Sequence, residues 1–326
     1  MCYQTSILLA SLLLFSSCKN PSQTTNNRST LKQIDDHPLY EMVYVGDYGF
    51  DSFLESGISS VSREQKRGWA CTCFSTTTID DNVILGRNFD WYDHPALILF
   101  TDPPNGYASV SMVDISYLGF DKNDRVSADD ARLNDAPFLP FDGMNEHGLA
   151  VGMMAVPYAQ APVSLQKVTL GSLHIIRLVL DFARDIDEAI DFMDDYNIDF
   201  EGGPAIHYFL ADQSGSSAVI EFVDNEMVVL HNKKPWQVST NFIICQTDLD
   251  GADSYCWRYN LTYSTLEQNQ GQITSSQTMD ILESVSQSNT RWSVVYNTTS
   301  QNINLVMGRD YQTAYNWVLA AGNQGL

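Results

Sequence analysis

The sequence predicts an α+β fold of packed layers rather than a doubly wound parallel sheet. Two pairs of strand-like runs are each joined by a short polar turn, at residues 80–82 and 212–215, which is the pattern of β-hairpins. Only two stretches, 171–196 and 278–285, are predicted as helices. Hairpins place their strands antiparallel, and a few helices then cover the sheets, so a layered α+β domain is expected.

The first eighteen residues, MCYQTSILLASLLLFSSC, predict an export signal. Their apolar run, residues 7–15, is too short to span a bilayer and is followed by small residues and Cys18. The segment 15–18 (FSSC) resembles a bacterial lipoprotein box, which would put a lipid anchor on Cys18. We therefore expect an exported lipoprotein of the periplasm or cell envelope. The alternative is an N-terminal helix that packs on the domain.

Residues 19–70 are predicted to be a tether and a pro-segment. The polar stretch 19–27 (KNPSQTTNN) has the composition of a flexible linker. From residue 39 to residue 69 aromatic residues appear, and the segment includes the charged run 62–67 (SREQKR). This second part is expected to be partly ordered, as a pro-segment or an N-terminal arm.

From residue 71 onward, short apolar runs alternate with turn signals. The first hairpin consists of CTCFSTTTI and VILGRNFDW on either side of the turn at 80–82, and the second lies within HYFLADQSGSSAVIEFV. In the stretch 171–196, apolar residues recur every three or four positions and form one stripe. Further strand-like runs are predicted at 96–100, 108–115, 149–156 and 292–318.

The composition excludes some partners but does not decide the number of domains, since 326 residues can form one large domain or two ordinary ones. A net charge of −22, from 18 basic and 40 acidic residues, argues against nucleic acid or an anionic membrane surface as partner. The acidic stretches 185–195 and 248–253 are interpreted as exposed helix faces and turns. The second lacks the glutamate that completes an EF-hand loop, so no metal is predicted there.

The cysteines do not form a metal or redox motif. Cys71 and Cys73 are separated by one residue, which fits neither a zinc knuckle nor a thioredoxin-like C-x-x-C motif. Cys245 and Cys256 flank a polar turn. They form either a disulfide in an oxidising compartment or two isolated buried thiols, and the sequence leaves both possibilities open.

A catalytic cysteine needs a base or an environment that lowers its pKa. None of the six histidines stands in a motif that pairs it with a cysteine. Cleavage just before a cysteine would supply another base, because the new α-amino group, with an unperturbed pKa of about 7.7 to 8, lies on the nucleophile's own residue. The position of Cys71 directly after a pro-segment fits this arrangement.

Cys71-Thr72 followed by Gly86-Arg87-Asn88-Phe89-Asp90 resembles the start of the N-terminal-nucleophile hydrolases that cleave linear amides. This family includes choloylglycine hydrolases, penicillin V acylases and the relatives of acid ceramidase. Its arginine and aspartate follow the nucleophile by sixteen and nineteen residues. Arg87 and Asp90 have those offsets from Cys71, and neither has them from Cys73. The resemblance therefore selects Cys71, and Cys73 is expected to face the other side of the strand or a neighbouring strand.

The resemblance continues downstream, to about residue 315. Residues 141–150 (FDGMNEHGLA) are similar to the family's Asp-Gly-x-Asn-Glu-x-Gly-Leu segment. Seven residues after Gly148, the resemblance implies that the backbone N–H of Ala155 is part of the oxyanion hole. It also implies Asn241 as the side-chain oxyanion donor and Arg258 as a second active-site arginine. The loop between these last two is shorter than the one that helps to hold the tetramer of bile salt hydrolases, so no oligomeric state is predicted.

The fold implied by the resemblance is a four-layer αββα sandwich, formed by residues 71–326. The implied mechanism begins with attack of the Cys71 thiol on the Ala70 carbonyl, which releases residues up to Ala70. The freed α-amino group, held by Asp90, then serves as the base for attack on a small N-acyl amide. Arg87 stabilises the developing charge. No metal or organic cofactor is implied.

Two other functions stay open at this point. The same nucleophile could hand the acyl group to an amine, as in the penicillin-forming acyltransferases. Alternatively, the chain could be a surface lipoprotein that retains the fold as an inactive binding module. The presence of Cys71, Arg87 and Asp90 together argues against the inactive protein.

Overall fold

A computed structural model of the protein describes residues 31–58, 70–200, 203–249 and 256–319. The predicted export signal, the polar tether at 19–27 and the charged run at 62–67 lie outside the described residues. The prediction of a turn at 248–253 falls mostly outside them as well. None of the helices within the described ranges is long and apolar enough to cross a membrane.

The described elements are mostly strands, numbered here in chain order. The strands are β1 (Lys32–Asp35), β2 (Leu39–Val45), β3 (Ala70–Thr77), β4 (Val83–Asp90), β5 (Ala96–Asp102), β6 (Ser109–Asp114), β7 (Pro140–Asn145), β8 (Ala150–Ala155), β9 (Thr169–Gly171), β10 (Asn197–Asp199), β11 (Ile206–Ala211), β12 (Ser217–Val223), β13 (Glu226–His231), β14 (Trp236–Ser239), β15 (Thr290–Asn297), β16 (Asn302–Met307) and β17 (Tyr315–Val318). The α-helices are α1 (Phe50–Ser56), α2 (Ser172–Phe182), α3 (Ile186–Asp194), α4 (Trp257–Gln268) and α5 (Ser275–Ser284), with 3₁₀ helices at Ile115–Leu118 and Ala131–Phe138.

Two sheets and two groups of helices form four layers. The larger sheet has nine strands in the order β1-β2-β5-β6-β7-β8-β11-β12-β13, and the smaller has six in the order β14-β3-β4-β15-β16-β17. Strand β3 contacts β8 and β11 across the interface between the sheets. Helix α2 packs on β7 and β8, while α4 and α5 pack on the outer face of the six-stranded sheet. The predicted α+β sandwich is therefore confirmed.

Apolar side chains explain this layering. The largest buried cluster contains inward-facing residues of both sheets, such as Cys71, Phe89 and Met153, together with the buried stripe of α2. A second cluster joins Phe74 and Trp236 of the six-stranded sheet to α4 and α5. Each sheet thus buries apolar residues on both faces, which requires a helical layer outside each sheet.

The segment before Cys71 is part of the larger sheet. Strand β2 pairs in parallel with β5 from Leu39↔Ala96 to Val45↔Asp102, and Leu39 and Met42 are completely buried. The end of the chain also contacts this segment, through a hydrogen bond from Trp317 Nε1 to Glu41 Oε2 of 3.0 Å. The predicted partial order is confirmed. The segment supplies the edge strand β1 and the buried strand β2 to the larger sheet.

The stretch 171–196 is two helices rather than one. Helix α2 ends at Phe182 and α3 begins at Ile186, because Asp185 adopts extended backbone geometry and its side chain caps α3 by accepting from the Glu188 N–H. An N-cap aspartate starts a new helix even where the apolar stripe is continuous. Helix α4 has no comparable apolar stripe in its sequence, and the periodicity analysis missed it.

Both predicted hairpins are confirmed. Strands β3 and β4 pair from Ala70↔Asp90 to Thr77↔Val83, and β11 pairs with β12 around the turn at 212–215. The first turn is closed by Thr78 N–H donating to Asn82 O at 2.7 Å. This hairpin sets which residues of 70–90 lie side by side, and it forms the base of the site.

Candidate active site

Cys71 lies on the inner face of β3 and is fully buried. Side chains two residues apart on a strand share a face, and both Cys71 and Cys73 join the cluster between the sheets. The expectation that Cys73 points to another face or another strand is therefore wrong. Directly opposite Cys73 on β4 stands Arg87, so both thiols lie near one guanidinium.

Arg87 distinguishes the two thiols by its contacts. Its NH2 group lies 3.6 Å from Cys71 Sγ and donates to Met153 O at 2.8 Å. Gly152 makes room for this side chain, because a Cβ at that position would come within 2.9 Å of Arg87 Cδ. The structure thus brings the predicted cysteine and arginine into contact.

Asp142 is the buried counter-ion of Arg87, and the sequence analysis did not single it out. Its carboxylate receives a hydrogen bond from Arg87 NH1, another from Trp292 Nε1 at 3.1 Å and a third from Tyr296 OH at 2.5 Å. Burial alone would lower the pKa of Arg87, but Asp142 and the two nearby thiols raise it. Asp142 lies within the segment FDGMNEHGLA, so the motif contains this residue, but nothing in the sequence shows that it pairs with Arg87.

Asp90 lies at the end of β4 on the opposite face of the hairpin from Arg87, directly across from Ala70. Its two carboxylate oxygens accept from Thr290 Oγ1 at 2.5 Å and from Gln287 Nε2 at 2.6 Å. Burial raises the pKa of Asp90, while these hydrogen bonds and Arg258 lower it, and the net shift is upward. The sequence analysis missed Thr290 and Gln287 because neither belongs to a recognisable motif.

Asn241 and Arg258 enclose the backbone of Cys71. The Asn241 side-chain oxygen accepts from the Cys71 N–H at 2.8 Å and from Arg258 NH2 at 2.8 Å. Arg258 NH1 donates to the Cys71 carbonyl and to Thr72 Oγ1 and lies 3.8 Å from Asp90 Oδ2. All four predicted side chains, Arg87, Asp90, Asn241 and Arg258, therefore surround Cys71.

Ala155 ends β8 beside this group. Its carbonyl accepts from Asn241 Nδ2 at 2.7 Å, which places the last residue of β8 next to the predicted oxyanion donor. The role of the Ala155 N–H stays a prediction.

In the uncleaved chain, burial favours the neutral form of the Cys71 thiol, the predicted nucleophile. Burial raises the pKa of the Cys71 thiol to about 11, because the lowering effect of Arg87 is smaller than the desolvation cost. Burial raises the pKa of the Cys73 thiol as well. With Ala70 still attached, the nitrogen of Cys71 is an amide and offers no basic lone pair. The uncleaved chain therefore places the Cys71 thiol beside Arg87 without the α-amino group that was predicted to act as base.

Cys245 and Cys256, the other two cysteines of the described residues, do not form a disulfide. Cys245 is exposed and Cys256 half-buried, and both are free thiols in the structure. Neither the disulfide nor the pair of buried thiols is what the structure shows. Among the described residues, no group of three or more His, Cys, Asp or Glu side chains is placed to hold a metal ion.

Comparison with known proteins gives a family match over residues 71–273, to the linear amide C–N hydrolases of the choloylglycine hydrolase family. The match begins at Cys71. A penicillin V acylase of Pectobacterium atrosepticum is 29% identical over 174 residues, which are 49% of this chain and 46% of that protein. The alignment thus spans about half the length of this curated relative.

Two solved structures share the fold. A penicillin V acylase from Agrobacterium tumefaciens superposes with a TM-score of 0.51 at 18% identity, over 76% of this chain and 84% of the other. A mutant conjugated bile acid hydrolase from Clostridium perfringens gives 0.56 at 17% identity, over 76% and 92%. At these identities the likeness concerns the fold.

Proposed function

Because this chain belongs to the choloylglycine hydrolase family of linear amide C–N hydrolases, we propose that it hydrolyses the amide of a small N-acyl compound with Cys71 as nucleophile. The observation that carries the proposal is the environment of Cys71. Its thiol faces Arg87 at 3.6 Å, its backbone N–H is held by Asn241 at 2.8 Å, and the family match starts at this residue.

The first step is cleavage of the chain before Cys71. The thiol of Cys71 attacks the Ala70 carbonyl, the C–N bond breaks, the amine takes up the proton, and a thioester joins Ala70 to the sulfur. Water then hydrolyses the thioester and leaves a carboxylate on Ala70. The contacts of Asn241 and Arg258 with the Cys71 backbone support this step, because they hold the scissile peptide bond beside the thiol.

The freed amine supplies the base that the uncut chain lacks. An α-amino group with a pKa of about 8 accepts the thiol proton far more readily than an amide does. The thiolate, facing Arg87, attacks the substrate carbonyl, and the amine product leaves with a proton. Water then releases the acid from the acyl-enzyme. In this scheme Asn241 Nδ2 and the Ala155 N–H stabilise the oxyanion.

An apolar cleft next to these groups supports an acyl group with an apolar portion. The cleft begins at Val156, directly after Ala155, and includes Ile243 from the turn after Asn241, with apolar Phe222 and Tyr158 and polar His207 and Glu221 on its walls. Apolar lining with a few polar groups is typical of small-molecule sites. Conjugated bile salts, penicillin V and fatty-acid amides all carry such acyl groups, and a panel of them defines the substrate.

Intact-mass measurement of wild type and of Cys71→Ala tests the proposal. We expect wild type to yield a chain beginning at Cys71 and to hydrolyse at least one member of the panel. Cys71→Ala should stay uncut and inactive. Wild type that remains joined at Ala70 and is still active would show that the mechanism is wrong.

Cys73→Ala is the matched control, because Cys73 is a buried thiol of the same strand and the same face. It should be processed and should remain active. If Cys73→Ala stays uncut while Cys71→Ala is processed, the assignment of the nucleophile fails.

We also propose that the chain is exported and lipidated on Cys18. Metabolic labelling with a radioactive fatty acid should mark wild type but not Cys18→Ala. Labelling of neither protein, with the chain recovered in the cytoplasm, would contradict this localisation.

A further inference from the structure

We propose that His207 and Glu221 form a positioning pair that holds the turn 240–245, and thereby Asn241, against Cys71. This inference rests on the proposed function, since it assigns the pair a part in placing the oxyanion donor. Neither residue touches the thiol, so neither is a catalytic residue.

The pair is built across two neighbouring strands of the larger sheet. His207 on β11 and Glu221 on β12 stand opposite each other and are each 1% exposed. The Nδ1 atom of His207 lies 3.1 Å from Glu221 Oε1. Buried charged groups carry a large desolvation cost unless they are fully hydrogen-bonded, so the remaining partners of this pair matter.

Those partners are backbone groups on both sides of Asn241. Before it, the carbonyl of Thr240 lies 2.9 Å from His207 Nε2. After it, the N–H groups of Ile244 and Cys245 donate to the two oxygens of Glu221 at 2.7 and 2.8 Å. The turn is therefore fastened at its start and at its end.

The chemistry of the groups sets the direction of these bonds. A carboxylate and a carbonyl oxygen only accept, so His207 must donate through Nδ1 to Glu221 and through Nε2 to Thr240, which requires a proton on both ring nitrogens. Burial alone would raise the pKa of Glu221, but the hydrogen bonds from His207, Cys245 and Ile244 lower it, and the net shift is downward. Glu221 is therefore an ionised group that binds three donors, and it holds the turn more strongly than a neutral side chain would.

The turn that His207 and Glu221 hold lies where the chain crosses from one sheet to the other. Strand β14 is the edge strand of the six-stranded sheet and ends at Ser239, which pairs with Cys73. After Ser239 the chain leaves the six-stranded sheet, and its hydrogen bonds to His207 and Glu221 attach it to the nine-stranded sheet. Asn241 lies at this crossing, 2.8 Å from the Cys71 nitrogen. A displacement of about 1 Å at such a donor can cost on the order of a hundredfold in rate.

Glu221→Gln tests the inference with little change in volume. Its amide nitrogen replaces one acceptor oxygen, so one N–H of the turn meets a donor. We expect kcat to fall by about tenfold to a hundredfold, because the lost contact displaces the oxyanion donor; KM is not a criterion, since His207 and Glu221 also line the cleft. His207→Phe, which removes the bond to Thr240, should have the same effect on kcat.

The control is Asp181→Asn, which also replaces a buried carboxylate by an amide but contacts Tyr48 and Arg177, away from the turn. Thermal unfolding of each variant establishes that it is folded at the assay temperature. A role limited to stability predicts that Glu221→Gln and Asp181→Asn, compared where both are folded, leave kcat equally unchanged. That result would overturn the inference.

A second readout needs no substrate. In full-length chains that also carry Cys71→Ala, and so stay uncut, hydrogen exchange of the peptide containing residues 240–247 should be faster with Glu221→Gln than with Asp181→Asn. Equal exchange in the two chains would show that Glu221 does not hold the turn. If wild type hydrolyses no N-acyl amide, the proposed function fails, while this exchange measurement still decides whether the pair positions Asn241.

Discussion

The two sheets contribute unequally to the site. The six-stranded sheet carries Cys71, Arg87 and Asp90 on one hairpin, where pairing along the backbone sets their spacing. The nine-stranded sheet contributes Asp142 and the backbone of β8, which contact Arg87 from the other side. The six-stranded sheet carries the predicted site residues Cys71, Arg87 and Asp90, and the nine-stranded sheet fixes the position of Arg87.

The larger sheet also contains residues that the proposed cleavage would separate from the nucleophile. Strands β1 and β2 precede Cys71, yet β2 lies between β1 and β5 with its inner residues buried. Cutting the bond before Cys71 breaks one covalent link and leaves these strand pairings in place. We therefore expect the N-terminal piece to stay bound after cleavage, and a lipid anchor on Cys18 would then hold the mature enzyme through this piece.

The largest expected effect is on the contact between the sheets. Asp142→Ala leaves the guanidinium of Arg87 buried without its carboxylate, which should lower the free energy of unfolding by about 3 to 5 kcal/mol. Urea unfolding at neutral pH measures this. Glu267→Ala is the control, because it breaks an exposed ion pair with Lys234 and should cost less than about 1 kcal/mol. Equal losses would show that the buried pair does not join the sheets.

Asn241→Ala should lower kcat by about a hundredfold to a thousandfold, because it removes the proposed side-chain donor to the oxyanion. Asn302→Ala, at an exposed position on β16 of the same sheet, should leave kcat unchanged. Steady-state kinetics of processed protein measures both. A loss of less than about threefold in Asn241→Ala would place the oxyanion donor elsewhere.

Met42→Ala examines the N-terminal strand of the larger sheet. Met42 is completely buried, and its truncation should cost about 2 to 3 kcal/mol. Val45→Ala on the same strand changes a side chain that is 47% exposed and should cost much less. Both variants should retain the wild-type kcat where they are folded.

Gel filtration of processed protein shows whether the N-terminal piece remains. In wild type and in Val45→Ala it should elute with the catalytic chain, and in Met42→Ala it should be lost at a lower urea concentration. Elution of a separate N-terminal piece from wild type without urea would show that β2 is held only by the covalent link.

The smallest effect concerns pH and the carboxylate that holds Tyr48. Burial raises the pKa of Asp181 to about 6, against a partial lowering by Arg177. Because the folded-state pKa lies above the unfolded value, the contribution of Asp181 to stability is present below pH 4 and is lost as the pH rises through 6. Wild type should lose about 2 kcal/mol relative to Asp181→Asn between pH 4 and pH 7. If the free energy of unfolding changes with pH in the same way in wild type and in Asp181→Asn, the prediction is wrong.

Local pairing explains which parts of the site were predictable. Cys71, Arg87 and Asp90 lie on one hairpin. Their spacing in the sequence therefore determines their relative positions once the two strands pair. Asp142 reaches Arg87 from β7, and Thr290 reaches Asp90 from β15. Contacts of this kind depend on how the sheets pack, and no period or spacing in the chain encodes them.

The sequence by itself determined the α+β class and both hairpins, because these follow from alternation and turn residues within short stretches, while the choice of Cys71 over Cys73 stays a prediction from the family resemblance. Only the tertiary structure decided that Cys73 shares the face of Cys71, that the N-terminal segment forms two strands of the larger sheet, and that His207 and Glu221 hold the turn with Asn241. The physical reason is that a buried ion or a central strand is stabilised by partners far away in the chain, and those partners become neighbours only when the two sheets pack together.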